Sequence, residues 1–196
     1  MTIGYEAFSR CTSLASVTIP ASVASIGNYA FYGCTSLDSV TIGKSVTSIG
    51  NSVFWGCSAL TSITVHPDSP YYASVDGVLF DKELTVLIQC PKGFTGVYTI
   101  PDSTTSIGNE AFYGCTSLTA VTIPDSVTSI GSWAFYGCSV LASITIPDSV
   151  TYIGHNAFRS CSALTSVTIP NSVTFIADVA FYNCTALTSV TIPDSV

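Results

Sequence analysis

A chain of 196 residues in which 47% of side chains are hydrophobic and only 9% are charged has ample apolar material to bury, which excludes a disordered segment and leaves Ser, Thr, Asn and Gly to supply the polar surface. Five basic against twelve acidic side chains give a formal charge of −7, the wrong sign for a phosphate backbone or an anionic membrane, so no nucleic-acid partner is expected. Ser, Thr, Pro or Gly interrupts every apolar run well before the roughly 20 residues of a spanning helix, and no membrane insertion is expected. The chain opens on Met1-Thr2-Ile3-Gly4, already inside a repeat and without the basic start and apolar run of a secretory signal, and it stops in mid-coil at Pro193-Asp194-Ser195-Val196. It reads as part of a longer array.

The first full unit runs Leu14, Val17, Ile19, Pro20, Ser22, Val23, Ile26, Gly27, Ala30, Phe31, Cys34, and it returns as Leu118, Val121, Ile123, Pro124, Ser126, Val127, Ile130, Gly131, Ala134, Phe135, Cys138. Cys11, Cys34 and Cys57, then Cys115, Cys138, Cys161 and Cys184, keep a step of 23 residues within each series. Val17 and Ile19 alternate with Ser16 and Thr18, the period of a half-buried strand, so Val121 and Ile123 should face inward and Thr122 outward. Pro20 ends that strand, and Val23 and Ile26 form a second short inward segment. Gly27 is read as permitting a backbone bend, and Asn-x-Ala-Phe-x-x-Cys as a 3₁₀ or helical turn that closes the coil. No segment holds a 3.6-residue period long enough for an ordinary helix, so bundles are excluded. A single coil cannot offset its own ordering entropy, and stability must come from stacking coils into a parallel sheet.

The register breaks once, between Cys57 and Cys115. Residues 66–105 are read as an irregular variant repeat inside one domain spanning 1–196. Two apolar runs, Tyr71 to Phe80 and Leu84 to Pro91, flank Asp81-Lys82-Glu83 and predict a β-hairpin with its turn there. Matching Pro91 to Pro20 places Ile88 and Cys90 in the inward positions of Val17 and Ile19, with Tyr98 and Ile100 next.

Chemistry-bearing residues are sparse. Seven cysteines share one position on successive coils, about 4.8 Å apart, within disulfide range, but their parallel side-chain vectors favour a ladder of buried, reduced thiols. No Cys-x-x-Cys pair suggests zinc. His66 and His155 lie far apart in the coil order and read as solvated surface residues, so no serine has a histidine to complete a triad. Asp102, Asp125, Asp148 and Asp194, with Asn171, recur at the Pro-Asp-Ser position; weak Ca²⁺ binding and simple turn preference both account for such a column, the turn preference being the simpler. Asn183-Cys184-Thr185 matches a glycosylation sequon, but its cysteine belongs to the buried column. No enzyme, metal site or cofactor is expected.

The unit Leu-x-x-Val/Ile-x-Ile-Pro-x-Ser-Val-x-x-Ile-Gly-x-x-Ala-Phe-x-x-Cys resembles the BspA-like, or Treponema-type, leucine-rich repeats, over nearly the whole chain outside residues 66–95. The resemblance implies a leucine-rich-repeat solenoid, mainly β, with a parallel sheet on one face and short strands and turns elsewhere. It also implies a cell-surface or secreted bacterial or protist protein, of a family several of whose members are associated with adhesion to host matrix proteins or other cells. The partner so implied is a protein or polysaccharide on another surface, such as host extracellular matrix, with end-to-end self-association through uncapped ends as a further possibility. The candidate binding surface consists of Ser143, Thr145, Ser166 and Thr168 on the outward strand row, and Tyr71 and Tyr72 on the irregular repeat. The row is neutral and poor in aromatic anchors, so a passive structural spacer and a hydroxyl-ladder ice-binding protein stand as alternatives. Tyr32, Trp55, Tyr113, Tyr136 and Tyr182 follow the core Phe and are read either as packing between neighbouring coils or as adhesive anchors.

Overall fold

The alternation of Ser16, Val17, Thr18 and Ile19 becomes a strand with its two hydroxyl residues exposed and Ile19 buried, because a strand turns successive side chains to opposite faces. The computed structural model describes residues 1–196, and its regular elements are all strands. Two compact units divide the chain: unit 1 is Met1–Glu83 with Pro91–Gly93, and unit 2 is Leu84–Cys90 with Phe94–Val196. Each is a solenoid whose coils stack through parallel strands.

Unit 1 contains β1 (Thr2–Ile3), β2 (Ser16–Ile19), β3 (Ser25–Ile26), β4 (Ser39–Ile42), β5 (Ser48–Ile49) and β6 (Ser62–Val65). They form two parallel sheets, β2-β4-β6 and β1-β3-β5, in which Val17 pairs with Val40 and Val40 with Ile63. After them β7 (Tyr72–Val75) and β8 (Val78–Asp81) form an antiparallel hairpin. Its turn is Asp76-Gly77, both at positive φ, and not Asp81-Lys82-Glu83 as the apolar runs suggest. A two-residue turn of this kind matches the strand twist, and Asp-Gly supplies it at little cost. The hairpin lies on the free edge of β6: Ile63 donates to the Gly77 carbonyl at 2.8 Å and the Val65 amide to Ser74 Oγ at 3.0 Å. Within it, Val78, Leu79 and Phe80 of β8 are buried.

Unit 2 contains β9 (Val86–Gln89), β10 (Gly96–Thr99), β11 (Ser106–Ile107), β12 (Leu118–Thr122), β13 (Ser129–Ile130), β14 (Tyr152–Ile153), β15 (Ser166–Thr168) and β16 (Ser189–Thr191). β10 pairs with β12 and β15 with β16, while β9, β11, β13 and β14 make the second ladder. Val121 and Ile123 are buried and Thr122 is exposed, and Tyr98 and Ile100 occupy the corresponding inward places beside them. The Leu84 to Pro91 run, however, enters the other ladder. Leu87 pairs with Ile107 and is fully buried, so Val86-Leu87 stands where other coils have Ser-Ile, and Ile88 is only half-buried. Both ladders share an alternating apolar pattern, and aligning on Pro91 selects the wrong one.

The closing segment of each coil consists of turns and not of a helix. In Gly27–Cys34 alternate amides turn back three residues, Ala30 to Gly27, Tyr32 to Tyr29 and Cys34 to Phe31, the hydrogen bond of a 3₁₀ turn. The amides between them, of Tyr29, Phe31 and Gly33, donate to Asn51, Val53 and Trp55 on the next coil at 2.7–3.1 Å. Positive φ at Tyr29 and Gly33 interrupts what would otherwise wind into a helix. The core phenylalanines stack above one another, Phe31 on Phe54 in unit 1 and Phe112 on Phe135 on Phe158 in unit 2, with ring centroids 4.8–5.9 Å apart.

Gly27 has a different reason from the bend expected of it. Its φ is not in the left-handed region, but a Cβ there would lie 2.8 Å from the backbone of Gly4 and Tyr5 on the preceding coil. At Gly154 the same atom would approach the Ser132 amide to 2.5 Å. The glycine column lets coils approach one another backbone to backbone.

Candidate binding surfaces

Three surfaces project from the coils, and each begins with what the repeat leaves unburied. The outward strand row of unit 2 carries Ser143, Thr145, Ser166 and Thr168, all exposed, because Ile144, Ile146, Val167 and Ile169 take the inward positions between them. Ser143 bridges to Ser166, Ser166 pairs with Ser189, and Thr168 with Thr191, so equivalent hydroxyls stand in columns across coils. Other hydroxyls are used within the fold. Thr128, Thr151 and Thr188 donate to carbonyls one coil back at 3.1–3.3 Å, and Ser126, Ser149 and Ser195 of the Pro-x-Ser turns do so at 2.7 Å. Those internal clamps between coils were not foreseen from sequence, although the recurrence of Ser after Pro-x from coil to coil is their signal.

The hairpin of unit 1 presents Tyr71, 48% exposed, on its approach to β7. Tyr72 beside it is half-buried; its hydroxyl reaches the Thr47 carbonyl at 3.5 Å, and burial raises its pKa. The structure therefore separates the two tyrosines in role: one projects and the other packs. Tyr71 and Tyr72 belong to unit 1, whereas Ser143, Thr145, Ser166 and Thr168 belong to unit 2.

Aromatic residues of the closing turns make the third surface. In unit 1, Tyr32 is half-buried and meets Tyr29 and Trp55 edge to face at 6.0 and 6.3 Å. In unit 2, Tyr113 stacks on Tyr136 at 4.8 Å and Trp133 lies 5.2 Å from Tyr136. Packing between neighbouring coils thus accounts for most of these rings, while Tyr182 is 58% exposed. Arg159 occupies the same column, its guanidinium 5.9 Å from the Tyr136 ring and 4.7 Å from the Tyr182 ring.

The thiol column is internal chemistry. All eight cysteines are free; seven are buried and Cys11 is exposed. Cys57, Cys138, Cys161 and Cys184 each direct Sγ to the carbonyl of a core phenylalanine, Phe31, Phe112, Phe135 and Phe158 in turn, at 3.1–3.2 Å. A small side chain with a weak donor fits a buried carbonyl that water cannot reach. Burial pushes the Cys57 and Cys161 thiols up to about 12, and raises Cys90 and Cys138 as well, since a thiolate loses its hydration there. His155 lies 3.9 Å from Asp178 and His66 4.0 Å from Asp68, each pair at the surface. No group of three or more His, Cys, Asp or Glu side chains is arranged to share a metal ion.

No helix of the chain is long and apolar enough to cross a membrane. Residues 1–80 and 94–196 match the BspA type leucine rich repeat region in six copies. No curated protein matches the chain. A leucine-rich repeat protein from Eubacterium ventriosum is similar at 26% identity and a TM-score of 0.74, over 98% of this chain and 70% of that one. A leucine rich cell surface protein from Faecalibacterium prausnitzii is similar at 30% identity and a TM-score of 0.72, over 96% of this chain and 62% of that one. The leucine rich repeat protein of T. pallidum is similar at 29% identity and a TM-score of 0.52, over 92% of this chain and 71% of that one. The chain thus spans between about three fifths and seven tenths of each of these proteins. With the 23-residue step, the two ladders and the phenylalanine and cysteine columns in place, the chain belongs to the BspA-type leucine-rich-repeat family.

Proposed function

We propose that this chain is a non-catalytic binding or adhesion module of a cell-surface or secreted protein, its 196 residues acting as one leucine-rich-repeat domain. The observation that carries the reading is the exposed row of Ser143, Thr145, Ser166 and Thr168, an outward face repeated coil by coil while the neighbouring hydroxyls are tied up inside the fold. Repetition offers many weak, equivalent contacts, whose joint avidity exceeds that of any one of them. Tyr71 on the hairpin of unit 1 offers an irregular contact that the uniform row lacks, and irregular loops on a rigid scaffold are the usual place of specificity. Protein or polysaccharide on another surface is the partner, with end-to-end association of copies as a further one; the reading assigns no cofactor. The cell-surface description of the F. prausnitzii relative supports the location.

The second reading, a passive spacer, is favoured by the neutrality of the same row and its lack of aromatic anchors. Binding of the intact chain to immobilised collagen, laminin and matrix polysaccharides separates the two. The module should bind at least one of these surfaces, and replacing Thr145 and Thr168 together by Glu should weaken that binding about tenfold, the size of effect that ~1.4 kcal/mol produces. No binding to any surface would favour the spacer.

A further inference from the structure

Arg159 is the sole Lys or Arg of unit 2, whose carboxylates are Asp102, Glu110, Asp125, Asp148, Asp178 and Asp194. None of these pairs with it; Asp178 lies instead against His155. Its one side-chain hydrogen bond runs from Nη1 to Asn156 Oδ1 at 3.2 Å, and Nε is shut away from solvent without a partner. Tyr136 and Tyr182 lie over the guanidinium from the coils on either side. Guanidinium and carboxylate form paired hydrogen bonds in the guanidinium plane, and an arginine flanked by two rings with no carboxylate of its own unit beside it has that pairing to offer.

We propose that the strip of Trp133, Tyr136, Arg159 and Tyr182 binds a polysaccharide carrying a carboxylated pyranose, with the carboxylate paired to Arg159 and adjoining sugar rings against Tyr182 and Trp133. The inference rests on the binding-module reading and names one partner class for it. Spacing selects a sugar over a peptide. Across the strip the Arg159 guanidinium lies 5.9 Å from the Tyr136 ring and 4.7 Å from the Tyr182 ring, each step shorter than the ~6.7 Å at which an extended peptide repeats its same-face side chains. A pyranose unit is close to one coil in length, so successive sugars keep step with successive coils.

The test uses the full chain at physiological ionic strength with trigalacturonate, its methyl ester and maltotriose, measured by calorimetry. Trigalacturonate should bind at least tenfold more tightly than the ester, and maltotriose should bind no better than the ester. Arg159→Tyr restores the residue that Tyr136 and Tyr182 place in this column, so it should fold with an unchanged melting temperature and lose the preference for the acid. Equal affinity for acid and ester, or a preference retained in Arg159→Tyr, overturns the inference. Absence of trigalacturonate binding in a chain that still binds matrix proteins also overturns it and leaves the module reading intact, whereas absence of binding to either removes both.

Discussion

Seven residues at one position of the coil, Glu6, Tyr29, Ser52, Glu110, Trp133, Asn156 and Val179, adopt φ between 51° and 62°, and none is glycine. Four coils place glycine at the second such position, Gly33, Gly56, Gly114 and Gly137, where Arg10, Ser160 and Asn183 take its place in the others. Val179 is the least suited of all, since a β-branched side chain crowds the backbone in the left-handed region where Asn is tolerated. Val179→Asn should therefore stabilise the protein by about 1 kcal/mol, seen as a higher midpoint of chemical unfolding, and an unchanged or lower midpoint would count against the strain. The thiols give a second test at this scale. A folded pKa near 12 against an ordinary 9 means that below pH 9 both states keep the proton, while between 9 and 12 only the unfolded chain releases it. Stability should then fall as pH rises through that window, by roughly 1.4 kcal/mol per pH unit for each such thiol, and Cys161→Ala should make the decline shallower. Thiol-reactive probes at neutral pH should label Cys11 quickly and the seven buried cysteines only on unfolding. Burial of the cysteine column was legible because its spacing equals that of the core phenylalanine. Its hydrogen bonds were not, since they join residues 26 apart across coils that the linear pattern does not bring together.

At the level of the elements, period-2 alternation sufficed to place the strands and their inward faces, as Val121, Thr122 and Ile123 show. It failed where two ladders carry the same alternation: Leu84 to Pro91 fits either, and only the pairing of Leu87 with Ile107 decides. The hairpin existed in the apolar pattern, but Asp76-Gly77 was the stronger turn signal inside it. The Ile-Gly glycine was legible as necessary and not in its cause, because the backbone it must clear lies 23 residues away. Where Ala177 stands in that column, the ladder narrows from a paired strand to a single bridge, Ile153 to Ile176. Gly131→Ala would put a Cβ 2.7 Å from the Asn109 amide, and should cost ~1–3 kcal/mol by forcing the coils apart. Gly137→Ala, whose Cβ would meet nothing closer than 3.8 Å, should cost less, about 1 kcal/mol from its positive φ. Equal losses in the two variants would mean that the close approach of the backbones is not what the glycine column serves.

Taken as a whole, the molecule repeats one set of contacts: an amide ladder on two sheets, hydroxyls clamped one coil back, thiols on phenylalanine carbonyls and rings on rings. Each contact joins a coil to its neighbour, so the coil is the unit of stability as well as of surface. The candidate row of Ser143, Thr145, Ser166 and Thr168 was legible because it is the complement of the inward pattern. The 23-residue step puts Arg159 in the column of Tyr136 and Tyr182, but the approach of its guanidinium to both rings depends on side-chain conformation that the step does not fix. Deleting residues 131–153 joins Ile130 to Gly154 and keeps every column in phase, whereas deleting 131–142 removes about half as much chain and puts all later columns out of step. Guanidinium unfolding of the two variants tests the coil as the structural unit most directly: the 23-residue deletion should unfold cooperatively at a somewhat lower midpoint, and the 12-residue deletion should lose its cooperative transition. Equal damage from both deletions, or greater damage from the longer one, would contradict it.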